Sequence, residues 1–164
     1  MNKEKKTVSK RISFSFLIVL LSLMTACSGP PNVDWELAIT GAVDNPTVFT
    51  FAELADLNQV DLTDILIKKS RGEDEIRSFS GVELAVILEI AGAAEDFSSI
   101  TAVAADGYAI EITPDEMVDG IVALKVSGDW IVNVEPEAGP IRLVFPTTPS
   151  NRWVFQVNQI VVNP

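Results

Sequence analysis

The chain has 164 residues, 12 Lys plus Arg against 23 Asp plus Glu, one Cys and no His. That is one domain's worth of length, and 48% apolar content excludes a disordered chain. Without His the commonest general base and neutral metal ligand are gone, one Cys excludes a disulfide framework or thiolate cluster, and a formal charge of −11 argues against nucleic acid as a partner.

Lys3, Lys5, Lys6, Lys10 and Arg11 make a positive start. Ile12 to Met24 is apolar apart from three serines, and Thr25-Ala26-Cys27-Ser28-Gly29 follows. This is the pattern of a secretory signal, too short for the roughly 20 residues of a bilayer span. Leu23-Met24-Thr25-Ala26-Cys27 resembles a bacterial lipobox, with Met where Leu is commoner. The expectation is a lipoprotein signal peptide over 1–26, lipidation at Cys27, a Gly- and Pro-containing tether over 27–34 and a single domain over 35–164. A plain signal peptide with a leftover Cys, or a short membrane anchor, is the bland alternative. Lipidation explains an unpaired Cys in an exported chain, because the thiol becomes a thioether. The mature chain then carries seven cations and 22 acids, a charge of −15. Such a surface repels anionic headgroups, so the anchor and not the domain would hold the protein at the cell membrane or outer membrane, on its extracytoplasmic side.

Glu36 to Thr40 alternates, with Leu37 and Ile39 on one face, and predicts a strand. Thr50-Phe51-Ala52-Glu53 is a capping box, with Phe49 and Leu54 as its hydrophobic staple. Val60 to Ile67 reads as a longer strand. Lys68, Lys69, Ser70, Arg71, Gly72, Glu73, Asp74 and Glu75 form the densest charge run, read as a solvated hairpin tip bending at Gly72 rather than a binding loop. Ser80-Gly81-Val82-Glu83 repeats the capping box with Phe79 and Leu84. Leu84, Ile87, Leu88 and Ala91 then fall at helical spacing, and Gly92 supplies the stop. Ile100 to Ala105 and Tyr108 to Ile112 are strands around an Asp106-Gly107 turn. Thr113-Pro114-Asp115-Glu116 is a third capping box, with Ile112 and Met117. Ile121 to Val126 and Trp130 to Val134 flank the hairpin turn Ser127-Gly128-Asp129. Ile141 to Phe145 is β-rich, and Arg152 to Val162 closes the chain with Trp153, Phe155 and Val157 on one side. The sum is an α+β domain, a compact, mostly antiparallel or mixed sheet with three short helices.

Little chemistry stands out. Glu73, Asp74 and Glu75, or Asp115, Glu116 and Asp119, lack the spaced ligands of a calcium loop, and the helix cap explains Asp115 and Glu116. No nucleophilic triad can be built, no carboxylate pair is singled out by spacing, and no glycine loop cradles a phosphate. Arg142 lies in an apolar strand, where an Arg more often ties strands to a carboxylate than holds an anion. Asp106-Gly107-Tyr108 reads as a tight turn, with Tyr108 packing, ahead of a site rim.

Together the pieces resemble the molybdopterin-binding domain of the sulfite oxidase family over nearly all of Trp35 to Val162. The resemblance rests on Trp35, Leu37, Ile39, Gly41, Val43 and Pro46; on Phe79-Ser80-Gly81-Val82-Glu83-Leu84 with Leu88 and Ala91-Gly92; on Asp106-Gly107-Tyr108; on Gly139-Pro140-Ile141-Arg142-Leu143-Val144-Phe145-Pro146; and on Trp153-Val154 and Ile160. It implies a molybdopterin cofactor and a cleft that here would hold Asp106, Tyr108 and Arg142, with Lys68, Lys69 and Arg77 as a basic rim. It also implies a molybdenum-binding Cys ahead of the Gly-Val-x-Leu stretch. Val60 to Ser80 has none, Lys68 and Lys69 lie near where it would fall, and an ammonium does not replace a thiolate donor.

Two functions follow as expectations. One is a non-catalytic module with no metal and no cofactor, recognising a small ligand or an envelope protein. The other is a molybdopterin-dependent oxidoreductase holding its cofactor without Cys ligation. A plain envelope spacer is a third.

Overall fold

The computed structural model describes residues 29–68 and 72–164. Cys27 and the signal segment, and Lys69 with Arg71 in the charge run, lie outside the described residues. The strands are β1 (Glu36–Gly41), β2 (Thr47–Thr50), β3 (Val60–Ile67), β4 (Glu75–Glu83), β5 (Ser99–Ala104), β6 (Ala109–Ile112), β7 (Ile121–Val126), β8 (Asp129–Trp130), β9 (Arg142–Val144), β10 (Val154–Phe155) and β11 (Val157–Asn163). The helices are α1 (Phe51–Asp56), α2 (Leu84–Ala91) and α3 (Ile131–Val134). This is the expected α+β class.

One sheet has the order β2-β1-β11-β5-β6, and the other β10-β9-β7-β4-β3, with β8 also on β7. All pairings are antiparallel except β1 with β11. One apolar cluster draws on both sheets, from Leu37, Ile39, Ile100 and Ile160 in the first to Phe79, Leu124 and Leu143 in the second. β7 is buried except at Lys125, as its otherwise apolar run requires, while β1 alternates and buries Leu37 and Ile39. β3 and β4 form the expected hairpin, Ile67 facing Glu75, with Gly72 at φ +90°. At α1 the Thr50 side chain accepts from the Glu53 N–H, and the Glu53 carboxylate accepts from the Thr50 N–H, so that box is complete.

The other two boxes differ from expectation. Ser80 lies inside β4 and donates to Asp61 Oδ1 at 2.6 Å, and α2 begins at Leu84 with no side-chain cap. The β4–β7 ladder continues to Glu83 opposite Ile121 and overrides the local helix signal. Gly81 permits it, since a Cβ there would sit 2.1 Å from Val122 O. The Leu84 N–H is satisfied by Gly120 O instead of a cap. Thr113 starts a run of turns, not a helix. Glu116 Oε2 does accept from the Thr113 N–H, but Asp119 turns left-handed at φ +55° and stops the coil.

The third helix is α3, where a strand was expected over Trp130 to Val134. Ser127 and Gly128, both at positive φ, make the hairpin turn, but β8 ends after two residues. β9 already occupies that edge of β7, pairing Arg142 with Ala123, so the returning strand has nowhere to extend. The closing segment is likewise broken. Gln156, at φ +50°, separates β10 from β11 and passes the chain from one sheet to the other. Val154 is therefore buried, and Phe155, expected beside Trp153 and Val157, is 44% exposed. No described helix is long and apolar enough to cross a membrane.

Candidate functional site

β3 ends at Ile67, and Lys68 after it lies against the loop that leaves β9. The Ser150 hydroxyl donates to Lys68 O at 3.0 Å and ties the two together. Between them is a cleft of about 520 Å³ whose walls include Asp64, Ile65, Lys68, Thr148 and Pro149. A second hollow of about 410 Å³ adjoins it along β3, sharing Ile65 and Pro146. The cleft therefore offers one ammonium, one carboxylate and hydroxyls over an apolar floor.

Arg77 and Arg142 converge elsewhere. Both donate to the carboxylate of Glu135, which follows α3, and Arg77 Nε also donates to Glu75 at 2.9 Å. Cross-strand pairing sets Arg142 between Phe155 of β10 and Ala123 of β7, where its side chain is 4% exposed. Its guanidinium lies 4.5 Å from the Phe155 ring centre and 5.7 Å from that of Phe79. Nε is buried with no hydrogen-bond partner. Burial pulls the Arg142 guanidinium below its usual value, which Glu135 partly offsets. Burial pushes Glu135 up, yet the hydrogen bonds from Arg142 and Arg77 outweigh it and leave the carboxyl below its ordinary range.

Asp106 and Tyr108 stand apart again, on the β5–β6 hairpin of the other sheet. Asp106 Oδ1 accepts from the Tyr108 N–H at 2.9 Å, and Gly107 takes φ +86° between them. Tyr108 is half exposed. Of the expected cleft, then, the structure joins Arg77 to Arg142 through Glu135. It places Lys68 in a cleft whose walls include neither, and leaves Asp106 and Tyr108 in a turn. Lys69 lies outside the described residues. Sequence reasoning did not single out Glu135, and it read Phe155 only as part of one face of the closing strand. The first is 58 residues from Arg77, and no spacing rule links them.

The remaining described cations are also engaged. Arg152 binds Glu116 through Nε at 2.7 Å and Nη2 at 2.9 Å, and Lys125 Nζ lies 4.4 Å over the Trp130 ring. Among the described residues no three His, Cys, Asp or Glu side chains are grouped so as to hold a metal.

The family described as "Oxidoreductase molybdopterin binding domain" matches residues 27–164. The chain belongs to that family. Among solved structures it is similar to the sulfane dehydrogenase SoxCD from Paracoccus pantotrophus, with a TM-score of 0.68 and 22% identity. That likeness covers 82% of this chain and 40% of the SoxCD chain, so this domain spans less than half of that relative. No curated protein matches. The family and the shared fold together establish a sulfite-oxidase-like, molybdopterin-binding type of domain.

Proposed function

We propose that this domain is a non-catalytic accessory module of the cell envelope, which binds a small ligand or a protein partner through the cleft beside Lys68. The observation that carries the reading is the donor set. Among its described residues the cleft has oxygen and ammonium groups and no sulfur, and each described arginine already faces a carboxylate. The thiolate that the family resemblance implies for molybdenum has no counterpart in Val60 to Ser80, and a buried phosphate requires converging free cations or an open helix N-terminus. The residues present do not fit that group. Family membership favours the second reading, an oxidoreductase that keeps its molybdopterin without Cys ligation.

Lipidation at Cys27 supplies the membrane contact in this proposal. The anionic domain then faces the extracytoplasmic space, held by acyl chains rather than by charge. The test is production of the full-length protein in cells with active molybdenum cofactor synthesis, followed by molybdenum and pterin determination per chain. The expected content is far below stoichiometric. One molybdenum per chain, with turnover of an electron acceptor, would establish the oxidoreductase instead.

A further inference from the structure

A separate cavity of about 510 Å³ opens beside α2, in the size range of small-molecule sites. Leu84, Leu88, Phe97 and Met117 form its apolar wall, and Glu89 and Glu95 stand on it as carboxylates. Neither carboxylate forms a hydrogen bond or ion pair with any described residue, and no described Lys or Arg lines the cavity. Glu89 lies in the last turn of α2, which contains no basic residue. The negative end of the helix dipole therefore adds to its charge, where a cation would be favourable. An adjoining hollow is lined by Asp44 and again by Glu95. Two exposed carboxylates and a helix C-terminus of one sign stand at this apolar pocket, and Asp44 at the hollow beside it, with no Lys or Arg among the described residues that line either.

We propose that this cavity binds a small organic cation with an apolar body, of the arylalkylammonium or quaternary ammonium class. The body packs on the Leu, Phe and Met wall, where the thioether of Met117 adapts to its shape. The cationic head lies between Glu89 and Glu95 and relieves their repulsion with the helix end. Size and charge select this occupant. A neutral molecule gains no attraction from the two exposed carboxylates, and an anion is repelled. The proposal stands apart from the Lys68 cleft and does not depend on whether the protein holds molybdenum.

Met117 is one of three methionines, with Met1 and Met24, so its methyl signal is assigned by its loss in Met117→Leu. The full-length protein, methyl-labelled at Met and held in zwitterionic nanodiscs, is titrated with 2-phenylethylammonium, 2-phenylethanol and 3-phenylpropionate. The expected result is a saturable Met117 shift with the ammonium, at least about fivefold tighter than with the alcohol, and none with the carboxylate. Glu89→Gln with Glu95→Gln should remove that preference without lowering the melting temperature, because neither side chain has a partner to lose. Equal affinity for alcohol and ammonium, no saturation, or a preference that survives the double substitution would overturn the proposal. So would saturation by a Leu/Arg-rich amphipathic peptide but not by the ammonium, which would identify a protein as the occupant.

Discussion

Arg142 and Glu135 form an ion pair whose halves sit in different surroundings, the guanidinium side chain 4% exposed and the carboxylate 23%. The guanidinium depends on Glu135 far more than the reverse, since Glu135 also accepts from Arg77. Removing Arg142 takes away packing against Phe79 and Phe155 as well as charge. Arg142→Ala should cost about 3 kcal/mol in urea unfolding. Arg142→Met should cost less than half as much, because it refills the volume and also removes the unpartnered Nε. An unchanged melting temperature for the Ala variant would reassign Arg142 to ligand contact.

Glu116 gives a pH dependence with a definite sign. The hydrogen bonds from Arg152, followed by the Thr113 N–H, hold its carboxyl at about 2 against an ordinary 4.5. The folded value is depressed, so the contribution is complete above pH 4.5 and fades as pH falls towards 2. Glu116→Gln should therefore lower the melting temperature at pH 6, and the gap from the unsubstituted protein should close between pH 4.5 and 2. A gap that stays constant over that range would show that the Arg152 contact does not stabilise the fold.

At Gly81 the β4 backbone leaves no room for a side chain against β7. Gly81→Ala should destabilise by roughly 3 kcal/mol, because the added methyl meets the Val122 backbone and not a flexible side chain. Ser80→Ala, next to it, should cost less than about 1 kcal/mol, losing one exposed hydrogen bond to Asp61. Thermal melts of the two variants separate the reasons why this stretch carries Ser and Gly. A Ser80→Ala loss equal to that of Gly81→Ala would contradict the strand assignment.

Cys27→Ser should leave an unlipidated, uncleaved precursor if the anchor proposal holds. Palmitate labelling of cells making either form checks this. Label retained by the Ser variant would place the lipid elsewhere or remove it from the account.

How far the sequence reads correctly varies with the element. The α1 cap, the β1 alternation, the β7 apolar run and the Gly92 stop are local patterns, and each forms as its residues require. Ser80 to Glu83 carries the same local pattern as Thr50 to Glu53, yet one is a strand and the other starts a helix. The difference lies 40 residues downstream, in the β7 backbone that pairs with Gly81. The site shows the same division. The apolar strand around Arg142 leads one to expect a carboxylate partner, but no local pattern names Glu135 as that partner. The resemblance puts Lys68 near where the family's thiolate is expected, but the cleft beside Lys68 is completed by Pro149 and Ser150 from the far end of the chain.

Residue chemistry alone establishes that this is a strongly acidic, His-free chain with no thiol beyond Cys27, so the inventory of reactive groups was settled before folding. Which groups meet was decided by the two sheets. Hydrogen-bonding competition on the edges of β7 ended β8 early and set α3 where Glu135 follows it, bringing that carboxylate to Arg77 and Arg142. Short-range propensities contribute fractions of a kcal/mol per residue, and a paired, buried ladder outweighs them.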